Sequence, residues 1–170
     1  MSNMTEIFDK VCEHFQNRSE YVSAFVKYNC RGEGWFDAEI TWLLDKMGIK
    51  FKREQQYLPN KYVDFRLDLS DGLHFIELKA LLHSPKSNLR GITADYHRLV
   101  EWQQGRKWLL MFAYPYSREA WEKWFSQTAE TFPKVQSTKM MDFPLFEDKK
   151  CAIILWEIDP SPQRGSVLPH

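Results

Sequence analysis

The sequence predicts an α/β protein in which helices flank a central mixed β-sheet. Segments with apolar residues spaced by three and four alternate with short apolar runs that are typical of buried strands. Between two of these segments, residues 62–80 read YVDFRLDLSDGLHFIELKA. This stretch has the period-two alternation of a β-hairpin around an Asp-Gly turn. The expected order is helix, helix, strand, strand, strand, helix, strand, helix, strand.

Each element rests on its own local pattern. The 3–4 spacing of Ile7, Phe8, Val11 and Phe15 begins a helix expected over 5–27. The predicted elements after it are a helix over 36–48, a strand over 49–58, the hairpin, a helix over 92–104, a strand over 107–114, a helix over 117–128 capped by Ser117, and a strand over 151–158.

Composition narrows the class of protein. The chain has 170 residues, of which 44% are hydrophobic, so it can form a substantial core. Its 23 basic and 23 acidic side chains give a net charge of +0, which argues against a generic nucleic-acid coating protein. Any surface that binds nucleic acid must therefore be locally positive. We expect one domain over 1–158 and a mobile, proline-rich tail over 159–170.

The cysteines and the apolar runs indicate a cytoplasmic setting. Cys12, Cys30 and Cys151 are far apart and form no C-x-x-C pair, which argues against a disulfide framework and a zinc ribbon. No signal-peptide core and no apolar run of membrane-spanning length are evident. We therefore expect a reduced, cytoplasmic protein.

The hairpin places two carboxylates and a lysine on one face. If Asp71-Gly72 is the two-residue turn, Asp64 faces Lys79, and Asp64 and Glu77 are diagonal neighbours. Diagonal positions across a strand pair are roughly 7–8 Å apart. Two carboxylates at this separation can share a divalent cation, with the lysine beside it.

This arrangement resembles the PD-(D/E)XK nuclease superfamily. The resemblance rests on Asp64 at the start of a strand, a hairpin, and Glu77-x-Lys79 in the next strand. Residues 35–114 also follow the order of the family's restriction-endonuclease-like core, which is a helix, three antiparallel strands, a helix and a strand. Val63 stands where the family's name has a proline. Glu39 occupies the place of the glutamate that many members carry on the preceding helix, with Glu33 as the weaker candidate.

The resemblance implies a metal-dependent nuclease that hydrolyses phosphodiester bonds, most readily those of DNA, with Mg²⁺ or Mn²⁺ as cofactor. It implies that Asp64 and Glu77 hold the ion and that the backbone carbonyl of Leu78 adds a third oxygen. Lys79 would be the catalytic lysine that orients the attacking water, and Glu39 the helper carboxylate. Members of the family are often dimers, so a homodimer is a further expectation.

Basic residues after the hairpin supply the local positive charge that such a function needs. His83, Lys86 and Arg90 follow Lys79 in a polar segment, and Arg98 lies on the next helix. We expect these four side chains to contact nucleic-acid phosphates, which positions a backbone without reading its sequence.

Simpler readings remain open. Asp64 with Lys79 and Arg66 with Glu77 could be plain cross-strand salt bridges, each worth a few tenths of a kcal/mol. The apolar neighbours of the glutamate favour a site, because charge near the centre of a sheet is costly. The protein could also be an inactive nuclease-fold module that binds nucleic acid. A third hypothesis is a protein-interaction domain that uses the tryptophan-rich helix over 117–128.

Overall fold

The molecule is built around a six-stranded mixed β-sheet with helices on both faces. A computed structural model describes residues 3–28, 32–58, 61–82, 85–102, 104–146 and 148–159. The strand order is β1-β2-β3-β4-β6-β5, with β3 and β4 parallel and all other neighbours antiparallel. The predicted α/β architecture with a flanked mixed sheet is confirmed.

The elements follow one another with short connections. The helices are α1 (Met4–Asn17), α2 (Ser19–Lys27), α3 (Gly32–Lys46), α4 (Pro85–Glu101) and α5 (Arg118–Thr128), the last continued by a 3₁₀ turn at Ala129–Thr131. The strands are β1 (Phe51–Leu58), β2 (Lys61–Leu69), β3 (Gly72–Leu81), β4 (Arg106–Tyr116), β5 (Val135–Pro144) and β6 (Lys150–Ile158).

The sheet separates two apolar layers. Helices α1 to α3 pack on one face, where Phe15 and Phe36 meet β-strand residues such as Phe112. Helices α4 and α5 cover the opposite face through residues such as Tyr96 and Trp121. Because β3, β4 and β6 are covered on both sides, most of their side chains are buried, as their apolar runs predict.

Several elements differ from the sequence prediction. Helix α3 begins at Gly32 rather than at residue 36, and helix α4 begins at Pro85 rather than at residue 92. The single helix expected over 5–27 is divided at Arg18, whose backbone leaves the helical region with φ −113° and ψ 24°. The strand β5 was not predicted. It lies at the edge of the sheet, and apart from Phe143 its residues are partly or fully exposed, so it lacks the apolar alternation that marks a half-buried strand.

The predicted hairpin forms, but its predicted register is wrong by two residues. Leu69 pairs with Gly72 and Phe65 pairs with Ile76, so Ser70 and Asp71 form the turn. A shift of two residues keeps every side chain on its face of the sheet, and the apolar alternation therefore fits both registers. Gly72 takes a φ of +124°, which glycine adopts without strain, at the first position of β3.

The tryptophans of α5 belong to the core. Trp121 and Trp124 are 3% and 8% exposed and pack against Trp156 and Phe132. The hypothesis that this helix offers its tryptophans to a partner is therefore wrong. The predicted cap is confirmed, since the Ser117 side chain accepts a hydrogen bond from the backbone N–H of Ala120.

None of the helices in the described part of the chain combines the length and apolar character that a bilayer crossing requires. The expected tail lies outside the described residues from position 160 onward.

We predict that Gly105→Ala destabilises the fold, because Gly105 has a φ of +60° and an added Cβ would lie 2.5 Å from the Leu73 carbonyl oxygen. The expected loss is ~1–3 kcal/mol of the free energy of unfolding, measured by urea denaturation. The control is Gly34→Ala on α3, where an added Cβ meets nothing within 4 Å and a gain of ~0.5–1 kcal/mol is expected. Equal stabilities of the two variants would contradict this account of the turn before β4.

Candidate active site

The candidate site lies where β2 and β3 approach the helix α4. Successive residues of a strand point to opposite faces, so Glu77 and Lys79 share one face of β3. Asp64 on β2 is the residue opposite Glu77 in the observed register, one step beyond the Phe65–Ile76 pair. The expectation that the three side chains share a face is met, but Asp64 and Glu77 are direct rather than diagonal neighbours, and Asp64 does not face Lys79.

Asp64 and Glu77 are joined through the backbone. The N–H of Asp64 donates to Glu77 Oε2 at 3.1 Å, and the N–H of Leu78 donates to Asp64 Oδ2 at 2.7 Å. Each carboxylate thus accepts a main-chain hydrogen bond from the strand that carries the other. The backbone of the hairpin therefore fixes how the two carboxylates lie relative to each other.

Glu77 is an almost fully buried carboxyl group. Its side chain is 1% exposed. Burial raises the pKa of Glu77 to about 9, and the neighbouring Asp64 charge adds to the increase, while Arg98 opposes it. Two negative charges held close together away from water are costly, so this site favours a nearby positive group.

The helix α4 supplies two charged groups to this face. The Arg98 guanidinium donates a hydrogen bond to Glu77 Oε1 through its Nη1 and lies 3.4 Å from Asp95 Oδ1 through its Nη2. Asp95 is 6% exposed. The two residues are three positions apart, so they point to the same side of the helix.

Lys79 lies between α3 and α4. Its Nζ is 2.9 Å from Asp95 Oδ2 and 3.3 Å from Glu33 Oε2. Although burial opposes the charged form, these two carboxylates raise the pKa of Lys79 and keep it protonated. Gly91 leaves room for the lysine, since a Cβ there would lie 3.0 Å from Lys79 Cε.

The helper carboxylate expected at Glu39 is not in this group. Glu39 Oε2 contacts His14 Nε2 at 2.7 Å and Arg18 Nη1 at 2.6 Å, on the side of α3 that faces α1. The carboxylate of α3 that reaches the lysine is Glu33. With 3.6 residues per helical turn, the side chains of Glu33 and Glu39 point in directions about 120° apart around the helix axis. The packing of α3 decides which of the two faces the sheet.

A second residue of α3 lies near the site. Asp37, one turn after Glu33, is bonded to Arg53 on β1. Burial raises the pKa of Asp37, and the negative charges of Asp64 and Glu54 contribute to the increase, while Arg53 opposes it. The charge of Asp64 therefore affects the pKa of Asp37.

The site opens into a cleft of about 580 Å³. Among the described residues, it is lined by Glu54, Tyr62, Asp64, Ala94, His97, Arg98 and Glu101. The ring of Tyr62 is exposed at the mouth of this cleft. Glu54 has a φ of 47°, a conformation that non-glycine residues seldom adopt. The cleft is large enough to accept a small-molecule-sized group.

The four residues expected to contact phosphates are not gathered in one place. Arg98 lines the cleft, whereas Arg90 is an exposed residue nearer the start of α4. His83 and the side chain of Lys86 lie outside what the structure describes. Arg98 has an additional role that the sequence did not indicate, since it also holds Glu77.

Sequence reasoning missed Asp37 and Asp95. Among the described residues, the site gathers five carboxylates and three basic groups: Glu33, Asp37, Asp64, Glu77 and Asp95, with Arg53, Lys79 and Arg98. A detectable signal was the spacing of Asp95 and Arg98, which places an acid and a base on one side of the helix predicted over 92–104.

The residues that could hold a metal ion are Asp64 and Glu77. Within the described ranges, no group of three or more His, Cys, Asp or Glu side chains is arranged to bind a metal ion. Mg²⁺ commonly takes one or two carboxylates and completes its shell with waters and phosphate oxygens. Two neighbouring carboxyls, one of them buried, fit this limited donor set.

The chain matches no family model, no curated protein and no solved structure compared with it.

We predict that Glu77 makes the metal-free protein less stable as the pH rises. The folded-state pKa of about 9 exceeds the ordinary value of 4.5, so the folded protein binds a proton that the unfolded chain releases. This stabilisation is complete below the unfolded-state pKa and is lost as pH rises through the folded-state pKa. Within this window the group contributes a slope of up to about 1.4 kcal/mol per pH unit.

Urea unfolding in EDTA at a series of pH values measures this slope. Glu77→Gln, which does not titrate, is expected to flatten it. Glu20→Gln, an exposed substitution on α2, is the control and should leave the slope unchanged. Parallel pH profiles for the wild type and Glu77→Gln would show that the carboxyl is not perturbed by its surroundings.

Proposed function

We propose that this protein has the restriction-endonuclease-like fold and acts as a metal-dependent nuclease of the PD-(D/E)XK type. The observation that carries the proposal is the pairing of half-buried Asp64 with buried Glu77, with Lys79 two residues further along the same face of β3. The order α3, β1, β2, β3, α4, β4 supports it, because it repeats the helix, three strands, helix and strand of that family's core.

Asp64 and Glu77 would hold Mg²⁺ or Mn²⁺, with the backbone carbonyl of Leu78 as a further oxygen. Such an ion, when bound, lowers the pKa of a coordinated water and offsets the negative charge of a phosphate. The fit rests on the carboxylate pair, since two oxygen-bearing groups fixed by the hairpin backbone match the preferences of a hard cation.

Lys79 would supply the permanent positive charge near the reacting phosphate. Asp95 and Glu33 keep its ammonium protonated and hold it at the α3–α4 boundary. A protonated lysine donates hydrogen bonds to an attacking water and to the phosphate oxygens, on which charge increases in the transition state. Glu33 takes the place on the preceding helix for which the sequence favoured Glu39.

The cleft beside Asp64 would receive the substrate. Tyr62 presents an exposed ring there, on which a nucleic-acid base can stack. Arg98 can contact a phosphate from the same wall of the cleft. DNA is the substrate we favour, and a homodimer, common in the family, is part of the proposal.

The setting we propose is the reducing cytoplasm. Cys12 and Cys151 are buried free thiols. Burial raises the pKa of both thiols, to about 12 for Cys12, so they stay protonated and unreactive.

A second candidate is an inactive nuclease-fold module that binds nucleic acid. It is favoured by the contacts of the two basic groups: Arg98 already contacts Glu77, and Lys79 is already paired with two carboxylates. Such contacts would also be expected if these residues only stabilised the fold. The two candidates differ in whether the site binds a divalent ion and hydrolyses DNA.

We predict that Lys79→Ala lowers the rate of phosphodiester hydrolysis by about 10²–10³-fold, as expected when one charge-stabilising donor is removed. The assay compares plasmid, linear, single-stranded and branched DNA, each with and without Mn²⁺. Lys123→Ala, an exposed lysine on α5, is the matched control and should retain full activity.

Equal hydrolysis by the wild type and Lys79→Ala would place the activity elsewhere or assign it to a contaminant. If neither Mg²⁺ nor Mn²⁺ binds and no substrate is cut, the inactive module becomes the better account. Retained binding of DNA in the absence of divalent ions would then support that module directly.

A further inference from the structure

We propose that Arg98 exchanges partners during binding: it is hydrogen-bonded to Glu77 in the free protein and contacts a nucleic-acid phosphate once a divalent cation binds Glu77. The cation and the nucleic acid then bind cooperatively. This inference rests on the proposed function, and it assigns to Arg98 a role that links the two ligands rather than simple phosphate contact.

Arg98 lies at the boundary between the buried floor of the site and the open cleft. Its side chain is 36% exposed, whereas that of its partner Glu77 is 1% exposed. The same arginine lines the cleft together with Tyr62 and Asp64. The guanidinium can therefore leave the carboxylate and remain in the place where a phosphate would enter.

A divalent cation on Glu77 and the guanidinium on Glu77 exclude each other. The carboxylate is buried and its Oε2 already accepts the N–H of Asp64, so Oε1, which Arg98 contacts, is the oxygen available to another ligand. Two positive groups on one buried oxygen repel strongly where water does not screen them. Binding of the cation must therefore displace the arginine.

Asp95 keeps the displaced arginine at the site. The second terminal nitrogen of Arg98, Nη2, lies 3.4 Å from Asp95 Oδ1, one helical turn earlier on α4. Asp95 is itself held by Lys79 through its other oxygen. The guanidinium thus has an anchor that does not depend on Glu77, and it can turn about this anchor towards the cleft.

A phosphate in the cleft needs this released charge. Among the described lining residues, Arg98 carries the permanent positive charge, while Glu54, Asp64 and Glu101 carry negative charges. A phosphate that enters while Arg98 remains on Glu77 meets mainly carboxylates. The planar fork of a free arginine binds phosphate oxygens in a bidentate manner.

Cooperativity follows from this competition. When the cation binds Glu77, Arg98 becomes available to the phosphate. When the phosphate binds Arg98, Glu77 becomes available to the cation. Each ligand therefore raises the affinity of the other by the same factor, as thermodynamic linkage requires. Without the arginine, the cation has no internal competitor and should bind more tightly to the free protein.

The experiment measures both affinities in three proteins: wild type, Arg98→Gln and Lys123→Gln. The DNA probe is a short, fluorescein-labelled, phosphorothioate-linked single strand, checked on a gel to remain intact, and its binding is followed by anisotropy with and without Mn²⁺. Calorimetry gives the affinity for Mn²⁺ alone. Lys123, exposed on α5, is the control for loss of one positive charge.

In the wild type and in Lys123→Gln, Mn²⁺ should tighten DNA binding by about tenfold or more, within the usual range of coupling between sites. In Arg98→Gln this factor should fall at least about fivefold, and Mn²⁺ alone should bind more tightly than to the wild type. Asp64→Asn should abolish Mn²⁺ binding in each background, which locates the ion.

The inference is wrong if Mn²⁺ tightens DNA binding by Arg98→Gln as much as it does for the wild type. It is also wrong if Arg98→Gln binds Mn²⁺ no more tightly than the wild type. Both outcomes leave the metal site, and hence the proposed function, intact. If no protein in the set binds Mn²⁺, the proposed function fails and the inference fails with it. The three results are therefore distinguishable from one another.

Discussion

The arrangement of the site depends on one constraint: a carboxyl group, Glu77, is buried beside a second carboxyl, Asp64. Removing a carboxylate from water is costly unless hydrogen bonds and opposite charge compensate for it. Here the compensation comes from the hairpin backbone and from Arg98 on α4. Because Glu77 retains a raised pKa of about 9 despite these contacts, the compensation is incomplete. A cation is the species that would complete it.

The fold brings the compensating groups from different parts of the chain. The parallel pairing of β3 with β4 places β3 inside the sheet, so its charged residues can only face the helices that cover it. Helix α4 packs through its apolar side and turns Asp95 and Arg98 towards Glu77 and Lys79. Helix α3 approaches from the other layer and contributes Glu33 to the same lysine. The site is thus a product of the three-layer architecture.

Local sequence patterns predicted what depends on local structure. Strand alternation placed Asp64, Glu77 and Lys79 on one face, as found. The register was not predictable from alternation, because a shift of two residues preserves the faces. The choice of Glu33 over Glu39 depends on how α3 rotates against the sheet and α1, and the burial of Asp95 depends on a lysine 16 positions earlier in the sequence. Both are set by tertiary packing. The edge strand β5 was missed because partial exposure removes its apolar signature.

The central claim is that Asp64 and Glu77 form a cation site rather than a closed structural ion pair. Anomalous diffraction from a crystal soaked in Mn²⁺ tests this most directly, since it locates the ion independently of any activity. The account predicts an anomalous peak within bonding distance of both carboxylates, with Arg98 moved away from Glu77. A crystal that shows no such peak at a saturating concentration of Mn²⁺, with Arg98 still bound to Glu77, would contradict it.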